Sequence, residues 1–144
     1  MTQIDFYTHV DDKLKTACVL AAKACARGMK LTVCCPDVET AQRLDRMMWT
    51  TPATGFVPHC PPNDPLAAQT PVIIDYRAED NLLHDDVLLN LRAEQPPYFS
   101  RFQRLIEIVG LEDDDRAGAR ERFRFYRDRG YEIRTHDLSK SREQ

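Results

Sequence analysis

The sequence predicts an α/β domain whose strands run parallel beneath covering helices. Two observations lead there. The chain opens with "QIDFYTHV", which alternates with a period of two, and an amphipathic helical pattern follows at once. A short apolar run and a second amphipathic helix then repeat the order. A strand–helix–strand–helix opening is satisfied by parallel strands with helices packed on the sheet. With 144 residues, the chain is long enough for one substantial core.

In the first strand, Ile4, Phe6 and Thr8 share one side, and Asp5, Tyr7 and His9 the other. From Asp11 onward, Leu14, Ala17, Cys18, Ala21, Ala22, Cys25 and Met29 follow helical spacing, and Gly28 lies near the stop. "KLTVCCP" reads as a short buried strand ended by Pro36. Asp37 then caps a helix carrying Val38, Ala41, Leu44, Met47 and Met48. Further strands are expected in "GFVPHC" and "PVIIDY", on either side of the proline-rich loop "PPNDPLAAQTP", and in "VLLNL". The spacing predicts a helix within "YFSRFQRLIEIV", an arginine-rich helix after it, and a last strand in "YEIRTHDL". No repeat or linker divides the chain. Residues 1–138 are expected to form one domain, with 139–144 as a mobile tail.

Hydrophobic residues make up 42% of the chain and charged ones 30%, the balance of a soluble globular protein. No apolar run approaches the roughly 18 residues of a membrane span, and the start lacks a signal-peptide core. A cytoplasmic protein is expected. The five cysteines include no CxxC, so buried thiols are expected rather than a disulfide framework or a zinc site.

Nucleotide chemistry finds no support. None of the five glycines falls in GxGxxG or GxxxxGK[ST], and the first strand runs into "THVDDKL", whose acids repel a phosphate. His59 and Cys60 are sequence neighbours, so their side chains need not face one another as base and nucleophile. The "HDD" of His84–Asp86 reads as a polar turn rather than a metal site. No catalytic residues, no metal and no cofactor are expected.

The net charge is -3, yet "ARERFRFYRDRGY" gathers five arginines among aromatic rings. On a helical wheel with Arg116 at zero, Arg120 falls near 40°, Arg124 near 80° and Arg127 near 20°, at about 100° per residue. Ala119, Phe123 and Tyr126 form the adjoining apolar stripe, with Phe123 at the seam. One reading is a solvated helix face. The other follows from like charges at i,i+4, which oppose the helix unless an anionic partner receives them. A second candidate surface is "MMWTTPATGFVPH". There Trp49 and Phe56 either close the core beside a loop or anchor another protein.

At these two stretches the chain resembles the chi subunit of bacterial DNA polymerase III. The resemblance rests on the opening "IDFY" and on "RLDRMMWTTPATGFVPH", "VLLNLRAEQPPYFSRFQRLIEIV" and "ARERFRFYRDRGY", in that order. It implies a three-layer α/β/α fold around a largely parallel or mixed sheet, Rossmann-like in topology but without a nucleotide site. It also implies a noncatalytic adaptor in the clamp-loader assembly. Such an adaptor binds the psi subunit and the acidic C-terminal tail of single-stranded-DNA-binding protein, which ends in aspartates followed by Ile-Pro-Phe. Contact with DNA is mainly indirect, and a helicase-like protein shares the psi surface in some relatives. By position, tail binding falls on Arg116, Arg120, Phe123 and Arg124, and psi binding on Trp49, Phe56, Val57 and Pro58. Some relatives have tyrosine where this chain has Phe123, and lysine where it has Arg116 and Arg124. The alternative is a single-stranded nucleic-acid module that uses the same helix for phosphates and base stacking. A nucleotide-using enzyme rests on fold analogy alone.

Overall fold

The computed structural model describes residues 1–50, 57–77 and 83–139. Its seven strands are β1 (Gln3–Val10), β2 (Leu31–Cys34), β3 (His59–Cys60), β4 (Val72–Asp75), β5 (Val87–Asn90), β6 (Arg104–Gly110) and β7 (Ile133–Asp137). They form one sheet in the order β3-β4-β2-β5-β6-β1-β7, and every pairing is parallel. The helices among the described residues are α1 (Lys13–Ala26), α2 (Val38–Thr50) and α3 (Asp113–Asp128). The sheet is thus parallel throughout rather than mixed.

Side-chain alternation along the strands divides the core in two. Val33, Leu89, Ile106 and Ile108 meet α1 and α2 on one face through Cys18, Ala21, Leu44 and Met48. Phe6, Leu88, Leu105 and Val109 meet α3 on the other, through Ala119 and Tyr126, with Phe99 and Phe102 alongside. These are the three layers expected. Local signals set the helix starts: Asp12 accepts from the Lys15 amide at 3.1 Å, and Asp37 accepts from the Thr40 amide at 2.7 Å. Gly28, at φ +73°, turns the chain after α1.

One expected element is different. The helix predicted within residues 98–109 is instead a 3-10 turn, Phe99–Arg101, followed by β6. β6 lies between β5 and β1 and is buried on both faces, so its apolar residues run on without alternation and imitate a helical pattern. Its β-branched Ile106, Ile108 and Val109 suit a strand. Of the described residues in "GFVPHC", His59–Cys60 form a strand, and residues 51–56 lie outside the described residues. Of the expected tail, Ser139 is tied to Asp137 by its amide at 2.9 Å, and 140–144 lie outside the described residues. No described helix is long and apolar enough to cross a membrane.

All five cysteines are free thiols. Burial pushes Cys18 up to about 11 and Cys35 up to about 12, which keeps both protonated at neutral pH.

Candidate functional site, a cationic cleft beside the third helix

The chain leaves β1 and β6, which are neighbours, toward opposite faces of the sheet: α1 covers one face and α3 the other. A crevice at the carboxyl ends of such strands is where α/β sheets commonly bind ligands. Here a cleft of about 240 Å³ lies at that end, on the α3 side. Phe6, Val109, Ala119 and Phe123 supply apolar walls, Thr8, His9 and Thr135 polar ones from β1 and β7, and Arg116 and Arg120 a cationic rim. The Phe123 ring meets Phe6 edge-on at 5.4 Å, which fixes the aromatic wall from beneath.

A fully buried ion pair sets the rotation of α3. Glu107 of β6 accepts from Arg122 Nε at 3.0 Å, from the Tyr126 hydroxyl at 2.6 Å and from Asn90 Nδ2 at 3.0 Å. Arg122 also donates through Nη1 to the Ala93 carbonyl at 2.6 Å. Burial pushes the Glu107 carboxyl up, against the opposing pull of Arg122, Tyr126 and Asn90. With Arg122 and Tyr126 held inward, Arg116 and Arg120 are left at the cleft.

The arginines of α3 therefore do different things. Arg122 is structural. Arg124 pairs with Glu121 at 3.2 Å and is not among the residues lining the cleft. Arg127 pairs with Asp128 at 3.3 Å, and Arg129 stacks 3.5 Å over the Phe125 ring. Among the described residues, the Arg116 and Arg120 guanidiniums have no hydrogen-bond or ion-pair partner. Of the four residues the sequence proposes for tail binding, three converge on one cleft and Arg124 stands beside it, engaged on the surface. The polar wall of Thr8, His9 and Thr135 is invisible in the sequence, because it arises from the β7 register that sets Thr135 opposite Phe6. Arg122 carried a usable signal: at about 240° on the same wheel it falls beside the buried Tyr126.

The α1 N-terminus, where a related fold would hold phosphate, is occupied by its own cap: Asp12 bonds the Lys15 amide, and Lys13 is turned to Asp115 at 3.0 Å. His84 is tied to the Thr70 carbonyl at 3.0 Å, and Asp86 accepts from the Lys30 amide at 2.9 Å, so "HDD" joins loops.

The second candidate surface lies at the opposite edge. Trp49 is 58% exposed at the end of α2, its ring 4.8 Å from that of His59. Val57 is buried, and its carbonyl accepts from His59 Nδ1 at 2.7 Å; Pro58 is exposed. Phe56 lies outside the described residues.

Fold and cleft together define a parallel α/β domain that offers a cationic, aromatic-lined recess at the end of its sheet. The family model for the DNA polymerase III chi subunit, HolC, matches residues 1–134. The chain is 35% identical over 142 residues to DNA polymerase III subunit chi of Pseudomonas aeruginosa, covering 96% of this chain and 98% of that one. It is 30% identical over 118 residues to the Escherichia coli subunit, with 82% and 80% covered, and 30% identical over 122 residues to that of Haemophilus influenzae, with 85% of each. The chain belongs to the DNA polymerase III chi subunit family.

Proposed function

We propose that this chain is a noncatalytic adaptor of the polymerase III clamp-loader assembly, joining the psi subunit to the acidic C-terminal tail of single-stranded-DNA-binding protein. One observation carries the reading. Two guanidiniums with no partner among the described residues share a cleft with an apolar recess, which suits a peptide end that is anionic and aromatic at once. Arg116 and Arg120 meet the tail's carboxylates, and the walls formed by Phe6, Val109 and Phe123 take its last ring. Arg124 adds long-range attraction from the surface.

The psi-facing role falls on Trp49, Phe56 and Pro58. Val57 supports them from within by holding His59, whose ring backs the exposed indole. A helicase-like partner would use the same edge.

With few anchors, tail affinity is on the order of micromolar and falls as salt rises. Titrating a labelled peptide that ends in aspartates followed by Ile-Pro-Phe against wild type and Arg120→Ala tests the site. The variant should bind at least about tenfold more weakly, and equal binding would remove the proposal. A single-stranded oligonucleotide in a parallel titration should bind weakly at physiological salt. Tight binding lost in Phe123→Ala would favour the nucleic-acid reading instead.

A further inference from the structure

A second cationic recess, of about 100 Å³, lies on the α1 face of the sheet, at the amino ends of β5 and β6. Tyr7, Leu20, Met29, Lys23, Arg27 and Arg104 line it. Arg104 opens β6 and Gly110 closes it, so about 20 Å of strand separates this recess from the cleft beside α3. The buried Asp5 lies 2.7 Å from Arg104 Nε and 2.9 Å from His136 Nε2, and the Tyr7 ring stacks on that of His136 at 4.5 Å. Asp5 thus matches Arg104. Among the described residues, no acid lines the recess to match Lys23 and Arg27, and neither of those side chains has a partner. They stand one turn apart at the end of α1, where like charges at i,i+4 oppose the helix. The negative end of the helix dipole accounts for cations in that turn. It does not account for Arg104, which reaches the same recess from the sheet. On this same face, the β7 register sets the exposed Arg134 opposite Asp5. Arg104 and Arg134 are two strand spacings apart, about 10 Å, which is wider than one small anion spans.

We infer that this recess and the Arg134 beside it form a contact for the phosphate backbone of single-stranded DNA, separate from the cleft beside α3. One phosphate sits among Lys23, Arg27 and Arg104, and a neighbouring phosphate meets Arg134. Guanidinium forks and an ammonium suit phosphate oxygens. A strand carries one negative charge at every nucleotide, which suits cations spread across a sheet face better than a single point anion does. DNA is also the polyanion that a subunit of a DNA polymerase meets. The inference does not depend on the peptide-binding reading. Because the two surfaces lie on opposite faces of the sheet, a peptide and a strand can be held at the same time.

The test is a titration of a labelled oligothymidylate against the full chain over a range of salt, starting low. Each phosphate neutralised on a single strand adds about -0.7 to the slope of log affinity against log salt. Wild type should bind weakly at physiological salt, with a slope of about -2. The paired variant Lys23→Gln, Arg27→Gln keeps good helix formers at exposed positions, and its slope should be shallower by about 1.4. Its affinity at low salt should fall at least about tenfold. Arg134→Gln, on the edge strand, should make the slope shallower by about 0.7. Saturating tail peptide, or Arg120→Ala, should leave oligonucleotide affinity unchanged. Three results would each overturn the inference while leaving the α3 cleft's assignment standing: no binding by wild type at low salt, a slope unchanged in both variants, or displacement by inorganic phosphate at matched ionic strength. Failure of the tail peptide to bind, with the oligonucleotide results as expected, would overturn only the peptide-binding reading.

Discussion

Replacing Arg122 with methionine keeps the unbranched apolar stem of the side chain but strips Glu107 of the one cation paired with it among the described residues. Glu107 is fully buried, and its remaining partners, Tyr126 and Asn90, are neutral. Breaking one side of a buried pair costs about 3–5 kcal/mol, and the Ala93 carbonyl loses a donor besides. For a chain of this length the melting temperature should fall by at least about 10 °C. The sign of the pH dependence follows from Glu107. Burial already holds its carboxyl above the ordinary range, and removing Arg122 raises it further. The folded variant then binds a proton that the unfolded chain releases, so it loses stability as pH rises toward the raised value and regains stability as pH falls. The gap to wild type should therefore narrow between about pH 8 and about pH 5 in thermal melts. Adding Glu107→Gln removes the stranded charge and should restore more than about 1 kcal/mol. A single Arg122→Met variant that melts within about 2 °C of wild type at neutral pH would refute the view that this pair sets the rotation of α3.

Asp115 should show the opposite acid behaviour. Burial acts to raise its carboxyl, but the Gly110 amide at 2.6 Å and Lys13 outweigh it and hold it below its ordinary range. Asp115→Asn should lose about 1 kcal/mol at neutral pH, allowing for partial exposure, and the loss should vanish as pH falls below the ordinary carboxylate range. In native protein treated with a thiol reagent, Cys25 and Cys60 should label first, while the buried Cys18, Cys34 and Cys35 should resist until denaturant is added. The pair Trp49→Ala and Phe56→Ala should abolish capture of the psi subunit while leaving tail-peptide affinity intact; loss of both would indicate unfolding.

Much of this architecture is legible where local chemistry decides it. The β1 alternation as far as Thr8, the Asp37 cap and the apolar faces of α1 and α2 depend on neighbours a few residues away, and each forms as its pattern indicates. Beyond Thr8 the register slips, and His9 lines the same cleft as Phe6 and Thr8 instead of facing with Asp5 and Tyr7. Burial on both faces erased the period of β6, so its strand looked helical. Charge pattern alone did not separate Arg122 from Arg116 and Arg120. What separates them is Glu107, a residue on another element whose burial no charge count reveals. The far wall of the cleft depends on β1 lying between β6 and β7, a fact of sheet order.

The proposed adaptor role requires the cleft beside α3 to be the place where an acidic, aromatic-ended peptide docks. Amide chemical shifts recorded during titration with that peptide locate the contact directly. Perturbations should centre on Thr8, Gly110, Arg116, Ala119, Arg120, Phe123 and Thr135. Perturbations gathered instead around Asp45, Trp49 and His59, or spread evenly over the surface, would contradict it.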